Sequence, residues 1–443
     1  MREIRTYGSE GGGGAALPTP IQGGAGAWDR CPLRKLCALN FELPAGTEHQ
    51  AIMNSQSQSV LIVAGEASGD MYAGELVTDL LGKVPSESFK FFGCGGKRMR
   101  ESGVETVVDI HRLAVLGPFE AVSHLGHLYS ALRLLVNEAR RRRPRLAVLV
   151  DFPDFNLRLA AKLKALGIPV VYLISPQVWA WRSGRVKQMQ KTIDRMLVVL
   201  PFEKDFYAER GMQVDYIGHP LVDRVRVSKS RSEFFQAHKL DESVPTVSLL
   251  PGSRTKEIHF HLPTLLQAAR WLHWQRPVQF LLPAASSLHG NQIRKILADN
   301  GGPPLSLIEY DTYNAVGHSD LAVVSSGTAT LETALLGTPL ITVFKISNLT
   351  WIVGQYLVRV PFYSLVNLIA GQQVVPELFQ SDFTAERLHA EMVGLLDQPE
   401  RLKHVRMGLA SVKQRLGAGG AIHKAAECIL PWLQDSAVLV GPR

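Results

Sequence analysis

The sequence predicts an α/β protein made of two doubly wound domains facing a cleft. Three observations predict it. Apolar runs of four or five residues recur from Val60 to Val343, long enough for a buried strand and too short for a helix. Helical patterns separate these runs, and alternating β and α elements build parallel sheets. A charged stretch, residues 224–245, divides the series in two. The expected organisation is therefore an extension without structure at 1–52, a first domain at 53–223, a linker at 224–245, a second domain at 246–383 and a helical segment at 384–443. The cleft between the domains is the expected binding site.

Composition agrees with a core-forming chain, at 46% apolar and 20% charged residues. A net charge of +8 suits anionic partners such as phosphates, nucleotides or an acidic membrane surface, without choosing among them. Cys31, Cys37, Cys94 and Cys428 have neither metal-ligand nor disulfide-framework spacing, which points to reduced thiols in a cytosol. No apolar run is long enough to span a bilayer.

Residues 1–52 carry Gly11 to Gly14, Pro18, Pro20 and Gly23-Gly24, which break any period, so disorder is expected. Met53 is the expected true start. A transit peptide is the rival reading, and Glu3, Glu10 and Asp29 argue against it.

In the first half, strands are expected at Val60–Ala64, Phe89–Phe92, Leu146–Val150, Val170–Ile174, Met196–Leu200 and Val214–Ile217. The first ends in Gly65-Glu66-Ala67-Ser68-Gly69-Asp70 before a helix from about Met71 to Leu81. A small-residue turn at that place binds ligands in open α/β sheets, although it is not G-x-G-x-x-G and can equally be a packing turn. Residues 113–125 combine an apolar stripe, including Val115, Leu116 and Phe119, with His111, Arg112, His124 and His127. Such a stripe lies in a membrane interface or forms core. Arg140 to Arg143 and Arg145 either meet anionic headgroups or end a solvated helix.

Leu146–Val150 delivers Asp151-Phe152-Pro153-Asp154-Phe155-Asn156 at its carboxyl end. A carboxylate there is a natural general base. A helix is expected near Leu157, with Asp154 or Asn156 as its cap. Val170–Ile174 delivers Ser175-Pro176-Gln177-Val178-Trp179-Ala180-Trp181-Arg182, whose two tryptophans and arginine suggest a sugar-stacking or acyl-lining wall.

In the second half, strands are expected at Val247–Leu250, Gln279–Leu282, Leu305–Ile308, Leu321–Val324 and Leu340–Val343. Pro251-Gly252-Ser253-Arg254 follows the first, and Arg254 offers a fixed fork of donors for phosphate. Leu321–Val324 runs through Ser325-Ser326-Gly327-Thr328 into a helix, Ala329 to Leu336, stopped by Gly337 and Pro339. Such a turn gathers backbone N–H groups at a helix N-terminus, which suits a diphosphate. Thr328 can cap that helix, and Glu332 can accept from the vicinal hydroxyls of a ribose. An ordinary β-α unit with a capping Thr and a surface Glu fits the same pattern.

The motifs GEASGD (65–70), AVLGPFEAV (114–122), DFPDFN (151–156), SPQVWAWR (175–182), LPFE (200–203), IGHP (217–220), LLPGSR (249–254), SSGTATLE (325–332) and SLVNLIAG (364–371) stand in this order. Together they make the chain resemble the lipid-A-disaccharide synthases over roughly Val60 to Leu433. Leu116 and Val366 depart from that family's usual Met and Pro. The resemblance implies a GT-B type fold of two Rossmann-like domains and an inverting glycosyltransferase. It implies that UDP-2,3-diacylglucosamine donates its sugar to 2,3-diacylglucosamine 1-phosphate, giving a β-1,6-linked disaccharide and UDP. It further implies a donor site at Gly252, Ser253, Arg254, Ser326, Gly327, Thr328 and Glu332. Asp154 is then the candidate base, with Asp151 orienting the loop. Ser68, Asp70, Gln177, Trp179, Trp181 and Asn367 fall to the acceptor, and Val115, Leu116 and Phe119 to the bilayer. No D-x-D motif is present, so this reading calls for no metal and no cofactor. It places the enzyme in the cytoplasm, peripherally on the inner membrane, without nucleic acid, and leaves a homodimer open. Two other readings share the pattern. A UDP-N-acetylglucosamine 2-epimerase has the same fold, but the apolar 113–125 stretch and the SPQVWAWR loop speak against it. A non-catalytic binder is opposed by the paired acids Asp151 and Asp154.

Overall fold

The computed structural model describes residues 58–85, 88–113, 121–284, 290–347, 351 and 360–434. The expectations for residues 1–52 and for Val115, Leu116 and Phe119 fall outside them.

Two parallel sheets carry the fold. The first contains β1 (Gln58–Ala64), β2 (Phe89–Gly95), β3 (Glu105–Asp109), β4 (Leu146–Val150), β5 (Val170–Leu173), β6 (Arg195–Val198) and β7 (Asp215–Tyr216), in the order β3-β2-β1-β4-β5-β6-β7. The second contains β8 (Thr246–Leu250), β9 (Gln279–Ala284), β10 (Leu305–Glu309), β11 (Leu321–Ser325), β12 (Leu340–Phe344) and β13 (Glu377–Phe379), in the order β10-β9-β8-β11-β12-β13. Each order reverses direction once, between β1 and β4 and between β8 and β11. Ligands bind outside the carboxyl ends of strands at such a reversal.

The central strands are fully buried on both faces: every residue of Leu146–Val150 and of Leu321–Val324 is at 0% exposure. That is why they read as unbroken apolar runs. The two strands that periodicity does not reveal, β3 and β13, are the outer edges of their sheets. An edge strand has a neighbour on one side only, so Glu105 sits exposed in β3 and Glu377 half-buried in β13.

Several boundaries differ from expectation. The helix after β1 starts at Ala67, and the one after β4 starts at Pro153, suited to a first helical position by its fixed φ and missing N–H. Asp154 and Asn156 are therefore inside that helix, and neither caps it. Gly327, not Thr328, occupies the cap position of the Thr328–Leu336 helix. The stretch expected as a linker holds a helix, Arg231–His238, started by a Ser230–Glu233 capping box. Its Phe234 and Phe235 are fully buried and pack with Leu281 and Ile308 of the second sheet. Two of the basic residues at and just past the end of the Ala121–Arg142 helix are engaged within the protein. Arg142 pairs with Glu105 and Glu138, and Arg145 donates to the Trp432 carbonyl at 2.7 Å.

The C-terminal segment does not stay with one sheet. Helices Ala385–Asp397 and Pro399–Arg415 pack against the second half, on the Thr255–Gln275 and Thr328–Leu336 helices. The last helix, Ala421–Gln434, crosses back and packs on Ala67–Leu81 of the first half. Its Ala425, Ala426, Ile429 and Leu433 are buried in a core shared by both sheets. Arg195 donates to the Cys428 carbonyl at 2.9 Å and strengthens this crossing.

Candidate active site

At the first reversal β1 and β4 pair in parallel and end side by side, Ala64 against Val150. This brings the turn at Gly65-Glu66 against the turn at Asp151-Phe152. Asp151 and Phe152 both take left-handed backbone, φ 48° and 50°. For residues with a Cβ each such conformation is strained by about 1–3 kcal/mol and persists only if held. The Tyr172 hydroxyl donates to the Asp151 carbonyl at 2.6 Å, and the Asn156 side-chain amide donates to the same carbonyl at 2.8 Å. The Phe152 ring lies where a Cβ on Gly65 would stand, which explains a glycine at the head of GEASGD.

The Asp151 carboxyl that results is poised near neutrality. Burial, aided by the nearby Glu66 charge and opposed by the Phe152 N–H, pushes its pKa up to about 6. Asp154, the second residue of the helix, is in a different environment. Its side chain is 66% exposed, and its Oδ1 accepts from Arg185 at 3.0 Å and Arg182 at 3.3 Å.

The expected acceptor residues divide. Ser68, Gln177 and Trp181 are exposed, Ser68 on the first turn after β1 and the other two at the ends of the SPQVWAWR turn. Trp179 instead packs inward, edge-on to Phe202 with ring centroids 5.0 Å apart. Beneath it lies Glu203, buried, pushed up to about 7 by desolvation and accepting from the Leu200 N–H at 3.0 Å. The buried Trp179 indole N–H completes no hydrogen bond, although it lies near enough to favour the Glu203 anion.

Two assignments are corrected. Asp70 is buried and accepts from the backbone N–H groups of Gly96, Arg98 and Met99 at 2.6, 3.0 and 3.2 Å. It anchors the turn after β2 and is not open to an acceptor. Asn367 is fully buried, donates to Val375 and Glu377, and accepts from the N–H groups of Val374 and Val375. Every polar group of that side chain is engaged in holding the segment before β13.

At the second reversal β8 and β11 end together, Leu250 against Val324. A cavity of about 500 Å³ opens there, lined by Gly252, Ser253, Arg254, Glu257, Tyr313, Ser326, Gly327, Thr328 and Glu332. All seven residues expected to bind the donor line it. Gly327 has φ 153°, in a region open almost only to glycine, and leaves the helix N-terminus uncovered. Arg254 is 81% exposed; its nearest charged partner, Glu257, is 3.3 Å away. The Glu257 carboxylate also accepts from the Ser253 N–H at 3.0 Å and so shapes the turn. Glu332 accepts from the Tyr313 hydroxyl at 2.8 Å, and burial raises its pKa above the usual range. His261 ties the two flanks of this cradle: Nδ1–H donates to the Pro251 carbonyl at 2.6 Å and Nε2 accepts from the Lys345 N–H at 2.9 Å. Burial keeps that imidazole neutral, as this pairing requires.

The two reversals meet across the cleft. Tyr72, on the helix after β1, is pushed up to about 12, chiefly by burial and against the pull of Arg224. The charges of Glu332 from the second sheet and Asp151 from the first both act on its hydroxyl. Tyr72, Tyr313, His261, Glu257 and Arg185 were not singled out in the sequence. They lie in helices whose pattern explains them as packing or solvated faces.

Comparison with solved structures places this architecture. A UDP-GlcNAc 2-epimerase from Neisseria meningitidis bound to UDP-GlcNAc superposes with a TM-score of 0.59 at 13% identity, covering 84% of this chain and 100% of that one. A glycosyltransferase from Rickettsia africae superposes with a TM-score of 0.53 at 13% identity over 86% of this chain and 100% of that one. At such identity these likenesses establish the fold, two facing parallel-sheet halves of the GT-B type, which epimerases and glycosyltransferases share. Sequence then separates those classes in favour of a glycosyltransferase. The family model for lipid-A-disaccharide synthetase matches residues 60–429. The lipid-A-disaccharide synthase of Solibacter usitatus is 46% identical over 86% of this chain and 99% of that protein, and that of Geobacter sulfurreducens is 43% identical over 85% and 98%. The chain belongs to the lipid-A-disaccharide synthase family, and it is an enzyme of lipid A biosynthesis.

Proposed function

We propose that this enzyme transfers the diacylglucosaminyl group of UDP-2,3-diacylglucosamine to 2,3-diacylglucosamine 1-phosphate, forming the β-1,6-linked disaccharide 1-phosphate and releasing UDP. One pairing carries the reading: a cavity lined by small-residue turns and Arg254 at the second sheet reversal, and at the first a carboxyl whose pKa burial raises to about 6. In this reading the donor's diphosphate lies against Arg254 and the turn at Ser326, Gly327 and Thr328, and Glu332 takes the ribose hydroxyls. Negative charge grows on the β-phosphate as UDP leaves, and fixed donors aimed there stabilise the transition state. Asp151 serves as general base, removing the proton of the acceptor hydroxyl as that oxygen attacks the anomeric carbon. The environment favours Asp151 over the sequence expectation of Asp154, because a base works best with a pKa near the working pH, whereas Asp154 sits between two guanidinium groups. The assay is UDP release by purified protein given donor, with and without acceptor. Release that depends on the acceptor is expected; consumption of UDP-N-acetylglucosamine without an acceptor would mean an epimerase.

The enzyme in this reading works at a bilayer surface, since donor and acceptor each carry two acyl chains. Among the described residues no helix is long and apolar enough to cross a membrane. Val115, Leu116 and Phe119 remain the proposed contact. Changing all three to Ser is expected to reduce co-sedimentation with anionic vesicles, and equal binding by a folded triple variant would refute the contact.

A further inference from the structure

We propose that Arg182 and Arg185 form the subsite for the acceptor's 1-phosphate, with Asp154 as the counter-charge that keeps both guanidinium groups in place until the phosphate arrives. This rests on the acceptor named above. Three features carry it.

The first is charge and unused donor capacity. Two guanidinium groups share a single oxygen of one carboxylate, Asp154 Oδ1, at 3.3 and 3.0 Å. The cluster keeps a net positive charge. Each guanidinium has five N–H donors, and a phosphate can accept from two such forks at once.

The second is order. The Arg182 guanidinium lies over the Trp181 ring, 3.7 Å from its centroid. Arg185 closes a turn of 3-10 helix, Ser183–Arg185, directly before the Val186–Thr192 helix. A stacked, turn-held arginine loses less freedom on binding than a solvated one.

The third is place. Asp154 lies in the first turn of the Pro153–Ala165 helix and Asp151 directly follows the strand that leads into it, so both carboxylates belong to one strand-to-helix turn. An acceptor whose hydroxyl reaches Asp151 can therefore set its far end, which carries the phosphate, at the arginine pair.

The other large groove does not offer this. A cavity of about 660 Å³ beside the Ala67–Leu81 helix carries Lys83, Arg98 and Arg224. Each of these is already paired within it, with Asp79, Glu101 and Glu75 respectively, so no excess positive charge remains for an anion.

The same two arginines could instead meet an anionic lipid headgroup, and the test separates the two sources. Calorimetry would use a short-chain, water-soluble 2,3-diacylglucosamine 1-phosphate and its analogue without phosphate, in buffer free of vesicles. The Arg182→Gln, Arg185→Gln double variant is expected to bind the phosphorylated compound about 10–100-fold more weakly, the loss of charge-assisted hydrogen bonds. It should bind the analogue and UDP as wild type does; unchanged UDP affinity also reports a folded protein. Arg185→Lys should keep part of the preference, because an ammonium keeps the charge and loses the fork. A double variant that prefers the phosphorylated compound by the wild-type ratio would overturn the subsite, as would a defect seen only with anionic vesicles. The binding ratio is read without turnover. Failure of acceptor-dependent UDP release would therefore count against the proposed reaction, and the binding ratio would still decide the subsite.

Discussion

Asp151→Asn is expected to lower kcat by about 10²–10⁴-fold, the usual consequence of removing a general base, while UDP affinity stays close to wild type. The amide can keep the carboxylate's shape but cannot take the proton. Asp154→Asn is expected to cause a much smaller loss in kcat, because that carboxylate is exposed and already neutralised by Arg182 and Arg185. The pH profile gives an independent reading. The working form is the anion, and burial has raised the Asp151 pKa to about 6. The rate kcat/KM should hold level above that pH and fall as the pH drops through it, since protonation removes the base. Glu66→Gln removes a neighbouring like charge, so the break should move to lower pH. Full activity in Asp151→Asn together with a dead Asp154→Asn would reverse the two roles and restore the assignment read from the motif.

Arg254→Ala and Glu332→Ala are each expected to weaken UDP binding by about 10–100-fold, the range for a charge-assisted hydrogen bond lost to the ligand. In the proposed reading they act on different groups of the nucleotide, the diphosphate and the ribose, and share no partner, so their effects should combine nearly additively. Glu332 adds a pH signature. Its raised pKa comes from desolvation, eased by the Tyr313 hydroxyl. In the proposed reading its anion accepts from the vicinal ribose hydroxyls, so UDP affinity should decline as falling pH protonates it, and Glu332→Gln should flatten that decline. Titration calorimetry of UDP checks each variant. Wild-type affinity in both alanine variants would remove the donor from this cavity.

The lining of the proposed donor cavity was legible in the sequence because its parts are local. A strand, a small-residue turn and a helix N-terminus form from contiguous residues, so Ser326, Gly327, Thr328 and Glu332 could be read from one stretch of chain. Arg254 follows its own strand in the same way. The fully buried strands were legible for a related reason: with both faces covered, apolar side chains alone satisfy them. The edge strands β3 and β13 were not, since one open side tolerates Glu105 and Glu377.

What the tertiary structure decided depends on neighbours distant in sequence. DFPDFN presents two carboxylates that local reasoning treats alike. Only the packing of β1 beside β4 sets Glu66 near one of them, and only the loop after β5 brings Arg182 and Arg185 to the other. Asp70 and Asn367 look like site residues in a linear motif. Their burial, and the backbone N–H groups that fold around them, turn both into anchors. The two tryptophans of SPQVWAWR part in the same way, Trp179 onto Phe202 and Trp181 toward solvent. The sequence by itself determined the family, the buried strands and the turn residues that line the second cavity, because these follow from local pattern and contiguous motifs. The roles of individual carboxylates and rings were left to the fold, because a pKa or a buried face is set by whatever the chain brings alongside.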